Sequence, residues 1–507
     1  MTHGSENHRI VVIGTGFAGI GMAVRLKQAG YDDFVVLERA DDVGGTWRDN
    51  TYPGCRCDVP SHLYSFSFAP NPEWTSTFSP QPEIEDYLRK VTDSFGIRPH
   101  IRFGHAVESA HWENGEWRIR TSRGEFTAEV MLSGMGPLAE PSYPKLPGIE
   151  SFEGDVFHSA QWDHDLDLSG RKVAVIGTGA SAIQFVPAIQ PEVGELHLFQ
   201  RTPPWVMPRP DRRITEVEKA VFRRFPLVQK AIRAGIYWGR ESMVLGFAKL
   251  PAIMKQVQKV AEKHLERQIR DPLLRAKLTP DFTLGCKRVL ISDDYYPAIA
   301  QPNVEVVTDG IAEVTPTGIV TGDGVKHEVD TIIYGTGFRV TDLPVMDMVH
   351  GRDGVSLREA WSDGMQAHLG TAVSGFPNFF MLIGPNTGLG HSSMVFMIES
   401  QIAYILDALK TMDVQGLRQV EVRPEVQRGF VDGVRSSLRN TVWTRGGCTS
   451  WYLDAEGRNT TISPSFTFRF RQLTRQFDVG EYQTDADLGD LPPADTTAND
   501  SKAARPG

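Results

Sequence analysis

Four consecutive apolar residues, Ile10, Val11, Val12 and Ile13, run into Gly14, Gly16 and Gly19, then into helical spacing over residues 20–28 and a second apolar run at 34–38. A short continuous apolar run bounded by glycines reads as a buried strand, and strand, glycine turn, helix, strand is the opening of a doubly wound sheet. The order recurs where Val173, Ala174, Val175 and Ile176 lead into Gly177, Gly179 and Ala182, with the following strand ending near Arg201. Further strands are expected at 304–307 and 331–334, the latter running into Gly335, Thr336, Gly337 and Phe338. Over residues 215–276 apolar positions recur at helical spacing among many lysines and arginines, which predicts a helical insertion. That insertion reads either as a solvated cap or as a basic amphipathic surface resting peripherally on a membrane.

Prolines at 137, 141, 144 and 147 mark a connection between domains, with a boundary near Gly148. The predicted fold class is α/β, with two doubly wound, Rossmann-like dinucleotide-binding domains, the second inserted in the first. The first occupies residues 1–147 and 335–484. The second occupies 148–214 and 277–334, interrupted by the insertion at 215–276. Residues 485–507 are acidic, contain proline and hold few large apolar residues, and are expected to be disordered.

A chain of 507 residues accommodates two or three such units. Its net charge of -10 and the absence of a basic block argue against a nucleic-acid partner. Cys55, Cys57, Cys286 and Cys448 form neither a CxxC pair nor a zinc spacing, so no metal site is expected and a reducing cytosol is the simplest setting. Residues 1–8 lack the basic and apolar regions of a secretion signal, and the best membrane candidate, residues 243–254, is short and broken by lysine and proline.

In each fingerprint the glycines allow a tight turn and close approach of backbone N–H groups to a pyrophosphate, which the helix N-terminus also favours. The first comprises Gly14, Gly16, Phe17, Ala18 and Gly19, and the second Gly177, Thr178, Gly179, Ala180, Ser181 and Ala182. Glu38, nineteen positions after Gly19, can accept hydrogen bonds from ribose hydroxyls, as FAD presents. Arg201, nineteen positions after Ala182, cannot accept them but can pair with a 2′-phosphate, so the second site prefers NADP. An ordinary surface arginine is the other reading of Arg201.

Between the fingerprints stands Phe152-x-Gly154-x-x-x-His158-x-x-x-Trp162-Asp163. This signature, with Gly44-Gly45-Thr46-Trp47, then Tyr52-Pro53-Gly54 and Asp58, resembles the Baeyer–Villiger monooxygenases of the class B flavoprotein type. The resemblance extends over nearly the whole chain, through Lys287-Arg288 before Tyr295-Tyr296, the Gly335-Thr336-Gly337-Phe338 return and Ser450-Trp451-Tyr452.

The resemblance implies that NADPH reduces FAD, that O2 is the co-substrate, and that a flavin-borne peroxide attacks a small ketone to give an ester or lactone, with NADP+ retained during turnover. It implies Arg288 as the catalytic arginine and Asp58 as the carboxylate that positions it. An arginine suits this step because it stays protonated while negative charge develops. By the same resemblance Gly45, Thr46, Trp47, Asp58, Tyr64, Val107 and Met394 border FAD. Arg56, Arg201, Thr202, Lys287 and Arg288 border NADP, and Trp451 borders substrate and nicotinamide, although core packing accounts for Trp451 nearly as well. His158 is read as a linker residue coupling cofactor state to domain rotation rather than as an acid or base.

Three rivals stand beside this reading. A flavin-dependent N- or S-oxygenating enzyme shares the cofactors but usually lacks the Trp-Asp ending of the signature. A disulfide reductase needs a CxxC pair, and Cys55-Arg56-Cys57 has the wrong spacing. A catalytically silent flavin-binding protein has no need of the intact Asp58, Arg201 and Arg288 set. The chain departs from the family pattern at Ala182, where glycine is usual, and at Ile462-Ser463-Pro464-Ser465, so substrate shape transfers least.

Overall fold

The computed structural model describes residues 5–250 and 252–488. Strand β1 (Glu6–Ile13) lies parallel to both β2 (Phe34–Leu37) and β6 (Gly124–Ser133), with Val12 opposite Val36 on one side and Leu132 on the other. Ile10 and Val12 pack into one core cluster and Val11 and Ile13 into another, so burial on both faces explains a run apolar at every position. Helix α1 (Phe17–Gln28) begins three residues before the expected Ile20, because the Gly16 carbonyl already accepts from the Ile20 N–H. The sheet continues through β3 (Ile101–Arg102) beyond β2, and through β5 (Glu116–Thr121) and β4 (Val107–Glu113) beyond β6. Short helix α2 (Thr46–Asp49) and helix α3 (Gln81–Ser94) follow β2.

The second sheet is wholly parallel. Its strands β7 (Asp155–His158), β8 (Lys172–Ile176), β9 (Glu195–Phe199), β12 (Val304–Val307) and β16 (Thr331–Tyr334) lie in the order β12-β9-β8-β16-β7. Val173 and Val175 face one core cluster and Ala174 and Ile176 another, and α4 (Ala182–Ile189) follows the glycine turn. A two-stranded pair, β10 (Val206–Met207) and β11 (Leu290–Ile291), and an antiparallel meander of β13 (Ile311–Thr315), β14 (Gly318–Thr321) and β15 (Lys326–Glu328) complete this part. The chain then re-enters the first sheet, where β17 (Val349–His350) pairs with β4 and β18 (Phe379–Met381) with β6. Helix Met394–Gln415 packs on α1. One doubly wound unit is therefore inserted in the other.

The outgoing and returning connections pair where they cross. Pro141 bridges Phe338, the Ser142 N–H donates to Gly337 and the Arg339 N–H to Glu140. The insertion is helical: α5 (Glu216–Arg224), opened by a Thr215–Glu218 capping box, α6 (Pro226–Glu241) with proline in its first turn, a π-helical turn at Leu245–Lys249, α7 (Ala252–Gln268) and α8 (Pro272–Lys277). Among the described residues no helix is long and apolar enough to cross a membrane.

Three expectations need correction. The signature, read as lying in the link between domains, is built into the second sheet, since residues 155–158 are the edge strand β7, with His158 in register with Tyr334. The acidic tail begins later than residue 485, because Asp485–Leu488 is a helical turn packed beside Tyr482–Thr484; the rest of the expected tail lies outside the described residues. The cysteines are not all free: Cys286 and Cys448, 162 positions apart, form a disulfide, which removes the simplest argument for a reducing setting. Spacing could not show it, because only tertiary folding joins such distant segments. Cys55 and Cys57 remain free and buried. Denatured, unreduced protein is therefore expected to titrate two thiols with a chromogenic disulfide reagent and four after reduction; four before reduction would refute the link.

Candidate functional site

At the first fingerprint a Cβ on Gly19 would lie 1.8 Å from the Gly14 carbonyl oxygen, so only glycine lets α1 close on the turn. Phe17 and Ala18 are buried at its start, and the Phe17 ring meets Tyr64 edge-on at 5.0 Å. The Tyr64 hydroxyl accepts from the Trp47 indole N–H at 3.1 Å, which joins the Gly45-Thr46-Trp47 turn to the same wall. Val107 opens β4 just beyond His105, whose N–H donates to the Glu38 carbonyl at 2.8 Å. Met394 opens its helix behind the Ser393 cap.

Glu38 stands at the end of β2, buried and fully engaged. Its carboxylate accepts from the Thr15 N–H at 2.9 Å, the Thr15 hydroxyl, the Ala40 N–H at 3.0 Å and Arg48 at 3.0 Å. A carboxylate offers about four lone-pair directions, so a ribose hydroxyl is received only as Thr15 or Arg48 gives way.

At the second fingerprint the Gly177 backbone has φ +112°, and a Cβ there would lie 2.4 Å from the Gly335 carbonyl oxygen. Gly179 and Ala180 are exposed, with nothing nearer than 3.9 Å to a Cβ built at Gly179, leaving an open cradle before α4. Ala182 is buried against Gly335, so its extra methyl is accommodated in the helix-packing position. Thr178 donates to the Thr202 carbonyl at 3.1 Å. Lys287 and Arg201 converge: burial first, and then the Arg201 charge, push the Lys287 ammonium below its usual pKa. Two mutually repelling cations beside an open glycine turn suit a dianionic phosphate. Arg56 is engaged otherwise, its guanidinium on Asp211 at 2.9 Å and its backbone paired with Gln184 of α4.

Between the two cradles lies a forked ion pair. Arg288 donates through Nε and Nη2 to the two oxygens of Asp58, each at 2.6 Å. The pair raises the arginine pKa and lowers that of the carboxyl, so both stay charged at any ordinary pH. Arg240 from α6 donates to the Asp58 carbonyl at 3.4 Å. Beside the pair the buried Tyr452 hydroxyl has no partner, and its pKa is pushed up to about 12, chiefly by burial. The Trp443 indole N–H, the His391 Nδ1 and the Ser392 hydroxyl are also buried without partners, and Gly390 lies directly against the Trp443 ring. Such orphaned polar groups call for a polar ligand at this place, which fits a flavin and substrate chamber.

Trp451 is 42% exposed, which overturns the core-packing reading. It lines a cleft of about 370 Å³ with Ser142, Tyr143, Phe338 and Arg339 of the crossing connections. His158 is fully buried next to the same crossing, its ring near Tyr143 and Phe338 and its Nδ1 accepting from the Ala160 N–H at 3.0 Å. Burial lowers its pKa to about 4. It is therefore neutral at physiological pH, which suits a packing role at the crossing. Phe152 and Gly154 lead into β7, where a Cβ on Gly154 would strike the Asp330 carbonyl, and Trp162 packs on Phe157 and Phe185, with Asp163 next in the chain accepting from the Asp165 N–H.

Sequence reasoning missed Arg240, Glu241, His391 and Tyr452. Glu241 is a buried carboxylate that accepts from the Thr467 N–H at 2.9 Å and the Thr467 hydroxyl at 2.8 Å, and pairs with His391 at 3.2 Å. For Arg240 and Glu241 the advance signal was the polar stripe Gln229, Arg233, Arg240 along α6, which periodicity assigns equally to a wet face, and for Tyr452 it was the Ser450-Trp451-Tyr452 motif, read there for Trp451 alone. One trio of metal-ligand type occurs among the described residues, His197, Glu305 and His327, joining β9, β12 and β15 away from this chamber. Burial pushes the Cys55 thiol up to about 12 and the Cys57 thiol higher still, which favours their thiol form and speaks against a reactive thiolate here.

Comparison with known proteins places this geometry. Residues 11–230 match the family model described as pyridine nucleotide-disulphide oxidoreductase. The chain is 55% identical over 482 residues to a Baeyer-Villiger monooxygenase of Streptomyces coelicolor, covering 94% of this chain and 93% of that one. The closed crystal structure of cyclohexanone monooxygenase superposes with TM-score 0.85 at 28% identity, covering 95% and 99% of the two chains. A crystal structure of OTEMO in complex with FAD and NADP superposes with TM-score 0.86 at 28% identity, covering 95% and 100%.

Two outcomes follow from the charges. Binding of a 2′-phosphate restores the Lys287 pKa toward 10.5, so NADPH binding takes up a proton between the lowered and restored values. NADPH affinity is expected to fall as pH rises through that window while NADH affinity stays flat. Arg201→Gln and Lys287→Met should each weaken NADPH by roughly ten- to a hundredfold, about 1.5–3 kcal/mol, and NADH little; an equal loss for both dinucleotides in titration would refute the assignment. At His158 the depressed pKa means that stability is complete above about 6.5 and declines as pH falls toward 4. Thermal melts should show His158→Gln losing less stability than the parent between pH 7 and 5, and identical slopes would refute it.

Proposed function

The chain belongs to the Baeyer–Villiger monooxygenase family, and we propose that it inserts one oxygen atom beside the carbonyl of a small-molecule ketone at the Asp58–Arg288 pair. It is an FAD- and NADPH-dependent monooxygenase. The overall conversion is ketone, O2, NADPH and a proton to ester or lactone, NADP+ and water. FAD, when bound, supplies the electron transfer from NADPH and the activation of oxygen.

The observation that carries the site assignment is the forked Asp58–Arg288 pair facing the orphaned Tyr452 hydroxyl. Arg288 keeps its charge throughout turnover, so it can hold developing negative charge on the substrate oxygen. Asp58 fixes the guanidinium through two of its donors and leaves Nη1 uncommitted to it. Arg240 offsets the Asp58 charge from the opposite unit, so the pair does not present as neutral toward an oxyanion. Lys287, next in the chain to Arg288, holds the nucleotide phosphate with Arg201, which couples coenzyme seating to the position of the catalytic arginine. Phe17, Tyr64 and Trp47 form an apolar wall that would border the flavin, with Met394 at the start of its helix as a further candidate. Trp451 lines the cleft at the crossing connections, where its ring can border a bound substrate. A cytosolic setting, with its supply of reduced nicotinamide, accords with this reading.

The test is to supply NADPH and oxygen to the yellow holoenzyme with a panel of cyclic, linear and aromatic ketones and to measure ester, hydrogen peroxide and NADPH together. Ester formed in step with NADPH consumption is expected. Arg288→Ala should still bind FAD, form ester at least a hundredfold more slowly, and release hydrogen peroxide instead, the magnitude typical of removing one oxyanion donor, roughly 10²–10³. Stoichiometric peroxide from the parent enzyme with every ketone would overturn the proposal.

A further inference from the structure

Helix α6 is inside out. Its inward positions carry Gln229, Arg233, Tyr237, Arg240 and Glu241, while its outward positions carry Leu227, Val228, Ala231, Ile232, Gly235 and Trp238. The inward groups are satisfied against the flavin-binding half. Gln229 donates to the Asn71 carbonyl at 2.6 Å, Arg233 to the His62 carbonyl at 2.6 Å and the Ser65 hydroxyl at 3.1 Å, Tyr237 stacks on Phe396, and Glu241 holds Thr467. A surface helix of a water-soluble protein ordinarily shows the reverse arrangement. Water alone does not account for a face on which Leu227 is 77% and Trp238 58% exposed.

The apolar surface continues past the helix. Phe468 packs against Trp238, and both are exposed; Leu245, Leu250 and Ile253 follow α6 around the π-helical turn and are exposed as well. Cations surround it: Lys230 on the helix, Lys249 and Lys255 about the turn, and Arg469 beside Phe468, all exposed. Residues 215–276 hold thirteen lysines and arginines against six acidic residues, in a chain whose net charge is -10. Arg233 and Arg240 of this set turn inward and Lys219 is buried, while Lys230, Lys249 and Lys255 are exposed among the exposed apolar side chains.

We propose that this face, the outer side of α6 with the following turn and Phe468, docks peripherally on an anionic lipid bilayer. The aromatic and aliphatic side chains enter the headgroup boundary, where Trp238 is suited to the interface, and the lysines meet the lipid phosphates. A second copy of the chain is the poorer occupant, because a two-fold contact would set this cationic face against itself. The docking does not depend on the oxygenation assigned above, since none of these side chains reaches the Asp58–Arg288 pair.

The experiment uses FAD-loaded enzyme in co-sedimentation with vesicles of phosphatidylcholine alone and of phosphatidylcholine with one-third phosphatidylglycerol, at low and high salt. Association with the anionic vesicles is expected, weakened by salt and at least tenfold weaker in Ile232→Glu and in Trp238→Glu. A Lys230→Glu, Lys249→Glu, Lys255→Glu triple variant should lose the preference for anionic lipid. Because these side chains are exposed, the variants should keep the parent melting temperature, flavin content and ketone turnover. Absence of sedimentation with either vesicle, or sedimentation indifferent to all three variants, would overturn the proposal. So would a concentration-dependent dimer in sedimentation velocity that Ile232→Glu dissolves while vesicle binding is nil, which would assign the face to a second copy. Loss of ketone turnover in the unsubstituted enzyme alongside intact vesicle binding would count against the catalytic reading alone.

Discussion

The Asp58–Arg288 pair joins a loop of the first unit to a segment of the inserted one, 230 positions apart in the chain, and the rest of the site is arranged around it. Arg288 is held from several directions: Cys286, two residues before it, is tied by the disulfide to the segment carrying Trp451 and Tyr452, and Leu290, two residues after it, pairs in β11 with Val206. Asp58 is held by its forked contact and, through its own carbonyl, by Arg240 of the helical insertion. A partly buried pair of this kind contributes little net stability over an apolar alternative, yet losing one partner strands a charge at a cost of about 3–5 kcal/mol when burial is complete. Its value is positional. It fixes the guanidinium where the first unit meets the inserted one.

The two units are joined by little chain, and that chain is ordered. The outgoing and returning connections pair at Pro141 and Phe338, the neutral His158 ring packs beside them, and the cleft under Trp451 opens among the same residues. A rotation of one unit against the other must bend this crossing, so the size of the cleft and the angle between the nucleotide sites change together. The signature therefore sits beside the crossing of the two connections, on an edge strand of the second sheet.

Helix α6 meets two demands that ordinarily belong to separate elements. Its inner side supplies Arg240 to Asp58 and Glu241 to Thr467 and His391, which anchors the insertion on the flavin-binding half through buried, hydrogen-bonded charges. That use of the inner side sends the apolar residues outward. The exposed face of the insertion is thus a physical consequence of a polar anchor beneath it.

Much of this was legible in the chain. Continuous apolar runs at residues 10–13 and 173–176, bounded by glycines, read as buried strands, and the glycine spacing after them reads as a tight turn at a helix start, because these are local requirements of backbone geometry and burial. The positions of Glu38 just after β2 and Arg201 just beyond β9 were legible for the same reason, each lying at a set distance from its glycine turn, whereas what each side chain binds was not. The insertion was legible as helices, but its orientation was not: a periodicity of 3.6 shows that a helix has two faces and leaves open which one meets the protein, so Arg240, Glu241 and the outward Trp238 were misread or missed. The Cys286–Cys448 link, the orphaned Tyr452 hydroxyl, the four donors that already fill Glu38 and the exposure of Trp451 were decided by tertiary structure alone, since each depends on segments brought together from distant parts of the chain, and no local pattern records which distant segment will arrive.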